Sequence, residues 1–199
     1  MQSQPRDLNS ILKLTHRLYE RVAGVLEEAL TSVLEWRSAE LDDRVALVEE
    51  VRDQIERQAL LYIARQQPLG RDLLTIGFIL RVSYDLYRIA RYSREIVRLV
   101  ERSGSRVELD VKVVDLVRTT MEMVREAFRA FYERDVELYK KVEVEDNAID
   151  ESYLDALESI GSKETFTRGE VFSILLLRHL ERICDHAVYM ASLAARYSG

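Results

Sequence analysis

Two pairs of acidic residues in the second half of the chain have the spacing that chemistry requires. Asp146 and Asp150 are four residues apart, and so are Glu181 and Asp185. Residues at i and i+4 project from the same face of an α-helix, so each pair presents two carboxylates together. If the two helices pack antiparallel, four carboxylates meet at one site. Such an oxygen-rich site suits hard ions, including iron, manganese, magnesium and calcium.

Ordinary ion pairing is the competing interpretation of these four carboxylates. The chain contains 35 Asp and Glu, so acidic pairs at this spacing also arise by chance. Arg178, Arg182 and Lys141 lie near enough in sequence to neutralise several of them. His186 offers a nitrogen ligand beside Asp185, although its direction on the helix differs by about 100°. The spacing alone leaves both a metal site and a set of surface ion pairs open.

The chain also contains an internal repeat with an offset of 94 residues. The stretch RHLERICDHA at 178–187 aligns with YDLYRIARYS at 84–93, and Leu, Arg and Ile recur in register. Internal repetition indicates one supersecondary unit used twice. We therefore expect a first unit over residues 1–103 and a second over 104–199, joined in one compact domain.

The first unit has lost most of the acidic residues. The positions equivalent to the four carboxylates hold, in chain order, Arg52, Glu56, Tyr87 and Arg91. Glu49 and Asp53 form a separate pair at i and i+4 nearby. We expect Arg91 to place its guanidinium where an ion would otherwise lie, paired with Glu56 or Asp53. None of the four equivalent positions is therefore expected to bind metal.

Six long helices must position these residues. Sequence breakers fall at 67–70, 103–105 and 161–163, and apolar residues between them recur every three or four positions. The pattern predicts helices at 8–36, from about 42 to 66, from Pro68 to about 101, 107–131, 136–160, and from a cap at Thr165 or Thr167 onward. It also places Leu60 and Leu73 on apolar stripes. An all-α bundle of two three-helix groups follows, because each stripe needs a lateral partner.

Composition narrows the function classes. The net charge of −6 argues against nucleic acid as a partner, because phosphate binding favours a basic face. The interior has no apolar run of the roughly 20 residues that a bilayer span needs. The N-terminus shows no secretory signal pattern, and the single cysteine fits a reducing compartment. We therefore expect a cytoplasmic protein.

Four segments resemble motifs of the PhoU family, whose members are regulators associated with phosphate uptake. The stretch HLERICD at 179–185 is similar to the family signature D/H-L-E-R-I-G-D, with Cys184 in place of glycine. The segment from Asp146 to Asp150 is similar to the family's acidic E/D-x-x-x-D motif. The stretch ARQQPLGRDL at 64–73 resembles the family's A-R-R-Q-P-x-A-x-D-L junction. The stretch DLYRIAR at 85–91 is a degraded first signature.

This resemblance implies a non-enzymatic regulator of phosphate uptake and phosphate signalling. It implies a six-helix bundle of two PhoU-like repeats, cytoplasmic and homodimeric. It further implies an iron or zinc cluster, of which at most one is expected here, held by Asp146, Asp150, Glu181 and Asp185. The implied partners are the ATPase subunit of a phosphate transporter and a sensor kinase, and the protein would reach the membrane only through them.

Two alternatives belong to other classes. One is an accessory subunit of a different phosphate permease, since a changed first repeat can accompany a changed partner. The other is a carboxylate-bridged metalloenzyme of di-iron bundle type. That class needs Glu-x-x-His pairs, and no Glu in this chain precedes a His by three residues, so the sequence disfavours it.

Overall fold

The computed structural model describes residues 8–197 and consists of six α-helices, with no strand in that range. The outermost residues of the two predicted units, 1–7 and 198–199, lie outside it. The helices are α1 (Leu8–Glu35), α2 (Asp42–Gln66), α3 (Arg71–Ser103), α4 (Val111–Glu133), α5 (Val136–Gly161) and α6 (Arg168–Arg196). The predicted number and order of the helices are therefore correct.

Four helices form the centre of the bundle and two flank it. Helix α1 packs on α3 and α4, and α6 packs on α3 and α4. Helix α2 lies against α1 and α3, whereas α5 lies against α4 and α6. Buried apolar residues from both units, among them Leu26, Ile89, Phe131 and Leu180, belong to one continuous core. The acidic residues of α5 thus face α6 along one edge of the bundle.

Side-chain caps decide where the helices of the second unit begin. Asp110 accepts a hydrogen bond from the Lys112 amide at 2.8 Å and so caps α4. The predicted start at Val107 is wrong for this reason, although Val107 still packs into the core from the linker. Thr167, not Thr165, caps α6, and Glu170 completes a capping box with it.

The turn between α2 and α3 also differs from its prediction. Gln67 adopts a left-handed conformation with φ 46°, and its backbone N–H closes α2 by donating a hydrogen bond to the Ile63 carbonyl. Gly70 follows with φ 55°, and α3 begins only at Arg71. The reversal of the chain therefore uses residues 67–70, and Pro68 lies in the turn instead of the first helical turn.

Among the residues assigned to apolar stripes, two that lie beside this turn are exposed. Leu60, near the end of α2, and Leu73, near the start of α3, both face solvent beside this turn. The apolar pattern continued to the helix ends, but the helix faces there have no neighbour that covers them. None of the helices in the described range is long and apolar enough to cross a membrane.

Candidate functional site

The four predicted carboxylates lie on the neighbouring helices α5 and α6, where they interact electrostatically. The carboxylate of Asp146 on α5 interacts electrostatically with Asp150 one turn later and with Asp185 and Glu181 on α6. Burial, followed by the repulsion of these three neighbours, raises the pKa of Asp146 to about 7. Packing α5 against α6 therefore converts two helical pairs, 35 residues apart in sequence, into one acidic cluster.

Asp146 is the carboxylate of this cluster that a bound cation would stabilise most. Its Oδ1 atom is buried and has no hydrogen-bond partner within the described chain. A buried acceptor without a donor is costly, and a positively charged ligand would relieve that cost. The donor set of carboxylate oxygens therefore fits iron or another hard ion in its chemistry.

The pKa values of Asp150 and Glu181, two neighbours of Asp146, are also raised. Burial and the charge of Asp185 raise the pKa of Asp150, and Arg182 opposes this change. Burial and Asp185 likewise raise the pKa of Glu181, against the opposing charges of Arg182 and Arg178. Half-buried carboxylates that repel one another favour the binding of a cation, because its positive charge offsets their repulsion.

Arginines compete for the two carboxylates on α6. Arg178 Nη1 donates to Glu181 Oε2 at 2.8 Å, and Arg182 Nη1 donates to Asp185 Oδ2 at 2.8 Å. Across residues 8–197, no three Asp, Glu, His or Cys side chains converge closely enough to form a preformed metal cage. An ion at this site would therefore have to draw Glu181 and Asp185 away from their arginine partners.

Lys141 does not neutralise the cluster, and its contacts reveal two acids that the sequence reasoning missed. Its ammonium pairs with Glu126 on α4 and with Glu145 on α5. Each of these glutamates keeps one buried Oε2 atom without a hydrogen bond in the described part of the chain. Glu145 could have been predicted as a neighbour of the cluster, because it adjoins Asp146 in sequence. Glu126 could not have been predicted, because only the packing of α4 on α5 brings it near Lys141.

In the first unit, arginine and tyrosine side chains pair with the acidic residues. Arg52 Nη2 lies 3.4 Å from Asp53 Oδ1 and 3.4 Å from Glu56 Oε2, within its own helix. The Tyr87 hydroxyl donates to Glu49 Oε1 at 3.0 Å, and Arg91 Nη1 donates to the Tyr87 hydroxyl at 3.2 Å. A guanidinium does occupy this region, as the sequence comparison suggested.

The predicted pairing of Arg91 with Glu56 or Asp53 is nevertheless wrong. Arg52 takes that role, because it lies one turn before Glu56 on the same helix face. Arg91 instead follows Tyr87 by one turn on α3, and its hydrogen bond to that hydroxyl raises the pKa of Arg91. Both guanidiniums lie against the Tyr87 ring, at 5.3 Å for Arg52 and 5.8 Å for Arg91.

The histidines of the second signature do not join the acidic cluster. His186 Nδ1 lies 2.9 Å from Oδ1 of the buried Asp85 on α3, and not beside the carboxylates of the acidic cluster. The 94-residue offset relates Asp85 to His179 and Tyr92 to His186, and the rings of Tyr92 and His179 also meet, at 6.2 Å. The two signatures thus meet each other where α3 packs on α6, and they join the two units.

The fold and site define a class of protein: an all-helical bundle of two three-helix units with an acidic cluster on one unit. A family model described as the PhoU domain matches residues 15–100 and again residues 113–194. The chain therefore belongs to the PhoU family.

Similar proteins agree with this assignment. The chain is 30% identical over 188 residues to phosphate-specific transport system accessory protein PhoU homolog 1 of Thermotoga maritima, covering 90% of this chain and 80% of that protein. It is 32% identical over 182 residues to the PhoU homolog of Pseudomonas putida, covering 84% and 70% of the two chains.

Solved structures show the same fold. The crystal structure of PhoU from Pseudomonas aeruginosa superposes with a TM-score of 0.84 at 23% identity, covering 96% of each chain. The phosphate transport system regulatory protein PhoU from Streptococcus pneumoniae gives a TM-score of 0.81 at 16% identity, covering 96% of this chain and 94% of that one.

Proposed function

We propose that this protein is a non-enzymatic regulator of phosphate uptake and phosphate signalling that acts through protein–protein contacts. The observation that carries the proposal is the double match to the PhoU domain, across almost the whole chain. The relatives it resembles over 80% and 70% of their own lengths are named accessory proteins of a phosphate-specific transport system. A helical bundle with a charged surface suits contact with other proteins.

The partners in this proposal are the ATPase subunit of a phosphate transporter and a sensor kinase. The protein would work as a cytoplasmic homodimer, without nucleic acid, and would reach the membrane only through these partners. Its two units, residues 1–103 and 104–199, would contribute different surfaces, because the second carries the acidic cluster and the first does not.

The experiment is a phosphate-uptake measurement paired with a binding measurement. Cells lacking the gene should take up labelled phosphate at a rate that no longer responds to phosphate supply, and the intact gene should restore the response. The purified protein should bind the purified ATPase subunit of the same organism. Unchanged uptake in the deletion strain together with no binding to the ATPase would contradict the proposal.

The same experiment separates a second candidate, an accessory role at a different phosphate permease. The changes at Arg52, Tyr87 and Arg91 favour it, because they remove the acidic motif from one repeat. In that case the effect of this gene on phosphate uptake should disappear when the other permease is deleted. The effect should persist when the phosphate-specific transporter is removed.

We also propose a site for iron or zinc, at most one per chain, at Asp146, Asp150, Glu181 and Asp185. The unpartnered buried Oδ1 atom of Asp146 and the raised pKa of three of these carboxyl groups support it. An ion there would fasten α5 to α6. Arg52 and Tyr87 already satisfy the acids of the first unit, so no ion is proposed there.

A further inference from the structure

A strip of arginine and tyrosine side chains lies on the face where α3 packs on α6. On α3 the strip consists of Arg81, Tyr84, Arg88 and Arg91, which follow one another at steps of three or four residues and so share one side of the helix. Tyr189 on α6 extends it. Arg88 is partly buried, and the other four residues are exposed. We name these five residues the arginine–tyrosine strip.

The two tyrosines of the strip lie close to the same histidine. The Tyr84 ring is 6.2 Å from the ring of His186, and the Tyr189 ring is 6.1 Å from it. Tyr84 is nevertheless 50% exposed and Tyr189 is 57% exposed. Tyrosine and arginine are among the residue types that contribute most to binding at protein interfaces, so two open tyrosine rings beside arginines are typical of a docking surface.

The arginines of the strip lack acidic partners. Arg81, Arg88 and Arg91 form no ion pair with an Asp or Glu within residues 8–197, and Glu49 and Glu95 act on Arg91 only at longer range. Within the strip, Arg88 is held most firmly. Its Nη2 donates to the hydroxyl of a neighbouring tyrosine at 2.6 Å, and its guanidinium lies 4.9 Å from the centre of that ring.

Arg88 also has donors to spare. Its Nε atom is buried and has no hydrogen-bond partner in the described part of the chain. A guanidinium carries five N–H donors, so most of those of Arg88 find no acceptor among the described residues. A fixed arginine with unused donors is already arranged for an incoming carboxylate, and ordering it on binding costs little.

The second unit shows which partner the first unit is missing. With the 94-residue offset, Arg88 corresponds to Arg182, and Arg91 corresponds to Asp185. On α6, Arg182 Nη1 donates to Asp185 Oδ2 at 2.8 Å, three residues further along the helix. On α3 the same step leads from one arginine to another. The change from Asp to Arg thus removes the carboxylate that would satisfy Arg88 and puts a like charge in its place.

Acidic helices border the strip on both sides. Helix α2 packs on α3, α3 on α6, and α6 on α5, so the four helices lie in that order across one face. Helix α3 carries seven arginines and four acids, whereas α2 has six acids and four bases, and α5 has eight acids and two bases. An extended polyanion or a membrane surface would meet the outer acids. A compact acidic patch fits the two central helices, which together are about 20 Å wide.

We propose that the arginine–tyrosine strip is the surface on which a partner protein docks, and that this partner presents a compact patch of carboxylates and apolar side chains. Arg81 and Arg88 bind the carboxylates, because the paired donors of a guanidinium match the two oxygens. The rings of Tyr84 and Tyr189 supply the apolar contact. This inference rests on the proposed function, because it names the surface for the protein contacts proposed there.

Binding of the purified transporter ATPase subunit and of the purified sensor kinase, measured by surface plasmon resonance at several salt concentrations, tests the proposal. The strip variant, Arg81→Gln with Arg88→Gln, should raise the dissociation constant about tenfold or more. It should also associate more slowly and depend less on salt, because the steering charges are gone. Arg81→Lys with Arg88→Lys keeps the charge and should keep the association rate.

A matched control removes the same charge elsewhere. Arg17 and Arg21 are exposed on α1, a helix that contributes nothing to the strip, and Arg17→Gln with Arg21→Gln should bind as the parent does. Circular dichroism and the unfolding midpoint verify that each variant is folded. Should the strip variant fail to fold, Arg81→Gln with Tyr84→Ala changes only exposed side chains and carries the same prediction.

The outcomes separate this inference from the proposed function. A parent that binds neither partner contradicts the proposed function, and the role of the strip with it. A parent that binds, together with a strip variant that binds as tightly or a control that loses as much, overturns the inference alone. So does a parent that binds duplex DNA or phosphatidylglycerol vesicles more tightly than either protein. Self-association that the strip variant abolishes would assign the strip to a second copy and would overturn it as well.

Discussion

The substitution Asp146→Asn should stabilise the metal-free protein at alkaline pH. The pKa of Asp146 rises from 3.8 to about 7 on folding, so the folded state disfavours the ionised carboxylate. A rise of that size corresponds to about 4 kcal/mol. Because the residue is only half buried, water screens part of this penalty, and we expect about 2 kcal/mol.

The effect has a defined dependence on pH. A carboxyl group with a raised folded-state pKa contributes stability below its unfolded pKa of 3.8 and loses that contribution as the pH rises through about 7. Asparagine has no such titration. The variant should therefore exceed the parent by about 2 kcal/mol near pH 8, and the gap should shrink as the pH falls toward 4. Removing the charge also relieves Asp150 and Glu181, which acts in the same direction.

Urea unfolding followed by circular dichroism, with a chelator present, measures this difference. Glu151→Gln is the matched control, because it removes an exposed carboxylate from the same helix. Adding zinc should then reverse the order, since the parent gains binding free energy and the variant has lost a ligand. A variant no more stable than the parent near pH 8, or a gap that does not change with pH, would refute this electrostatic account of Asp146.

Three further tests address other parts of the account. The triple variant Arg52→Asp, Tyr87→Glu and Arg91→Asp restores the acidic pattern in the first unit. It should add one metal site per chain to the content of the parent, and an unchanged content would contradict the role given to the arginines. Asp85→Ala should destabilise the bundle by about 1–3 kcal/mol in urea unfolding, because it leaves the partly buried ring nitrogen of His186 unpaired, whereas Asp85→Asn should cost less. Thr167→Ala should cost about 1 kcal/mol by the same assay through loss of the α6 cap, and no loss would show that the capping box is dispensable.

The helices were predictable because periodicity and breakers are local signals. Gly104 ends α3 and Arg134 ends α4 with positive φ, close to the breaks read from the sequence. The starts were less predictable. They depend on the Asp110 cap and on the left-handed Gln67, which are details of hydrogen bonding and backbone conformation and not of apolar spacing.

The acidic cluster was predictable from the repeat, but its surroundings were not. Helical spacing and the offset of 94 identified Asp146 and Asp185 without any structure. They did not reveal that Arg52 would replace Arg91 as the partner of Glu56, because that depends on side-chain direction. The contact between His186 and Asp85 was also beyond the sequence, since 101 residues separate the two and only the packing of α3 on α6 joins them.

The central proposal is an asymmetry: we propose that the second unit binds a metal ion through its carboxylates and that the first unit does not. Elemental analysis of protein purified without chelators tests it most directly. We predict iron or zinc at no more than one site per chain in the parent, lost in Asp150→Asn and Asp185→Asn and retained in Glu49→Gln with Asp53→Asn. Equal metal in the parent and the second-unit variants, or metal that disappears only when Glu49 and Asp53 are changed, would contradict it.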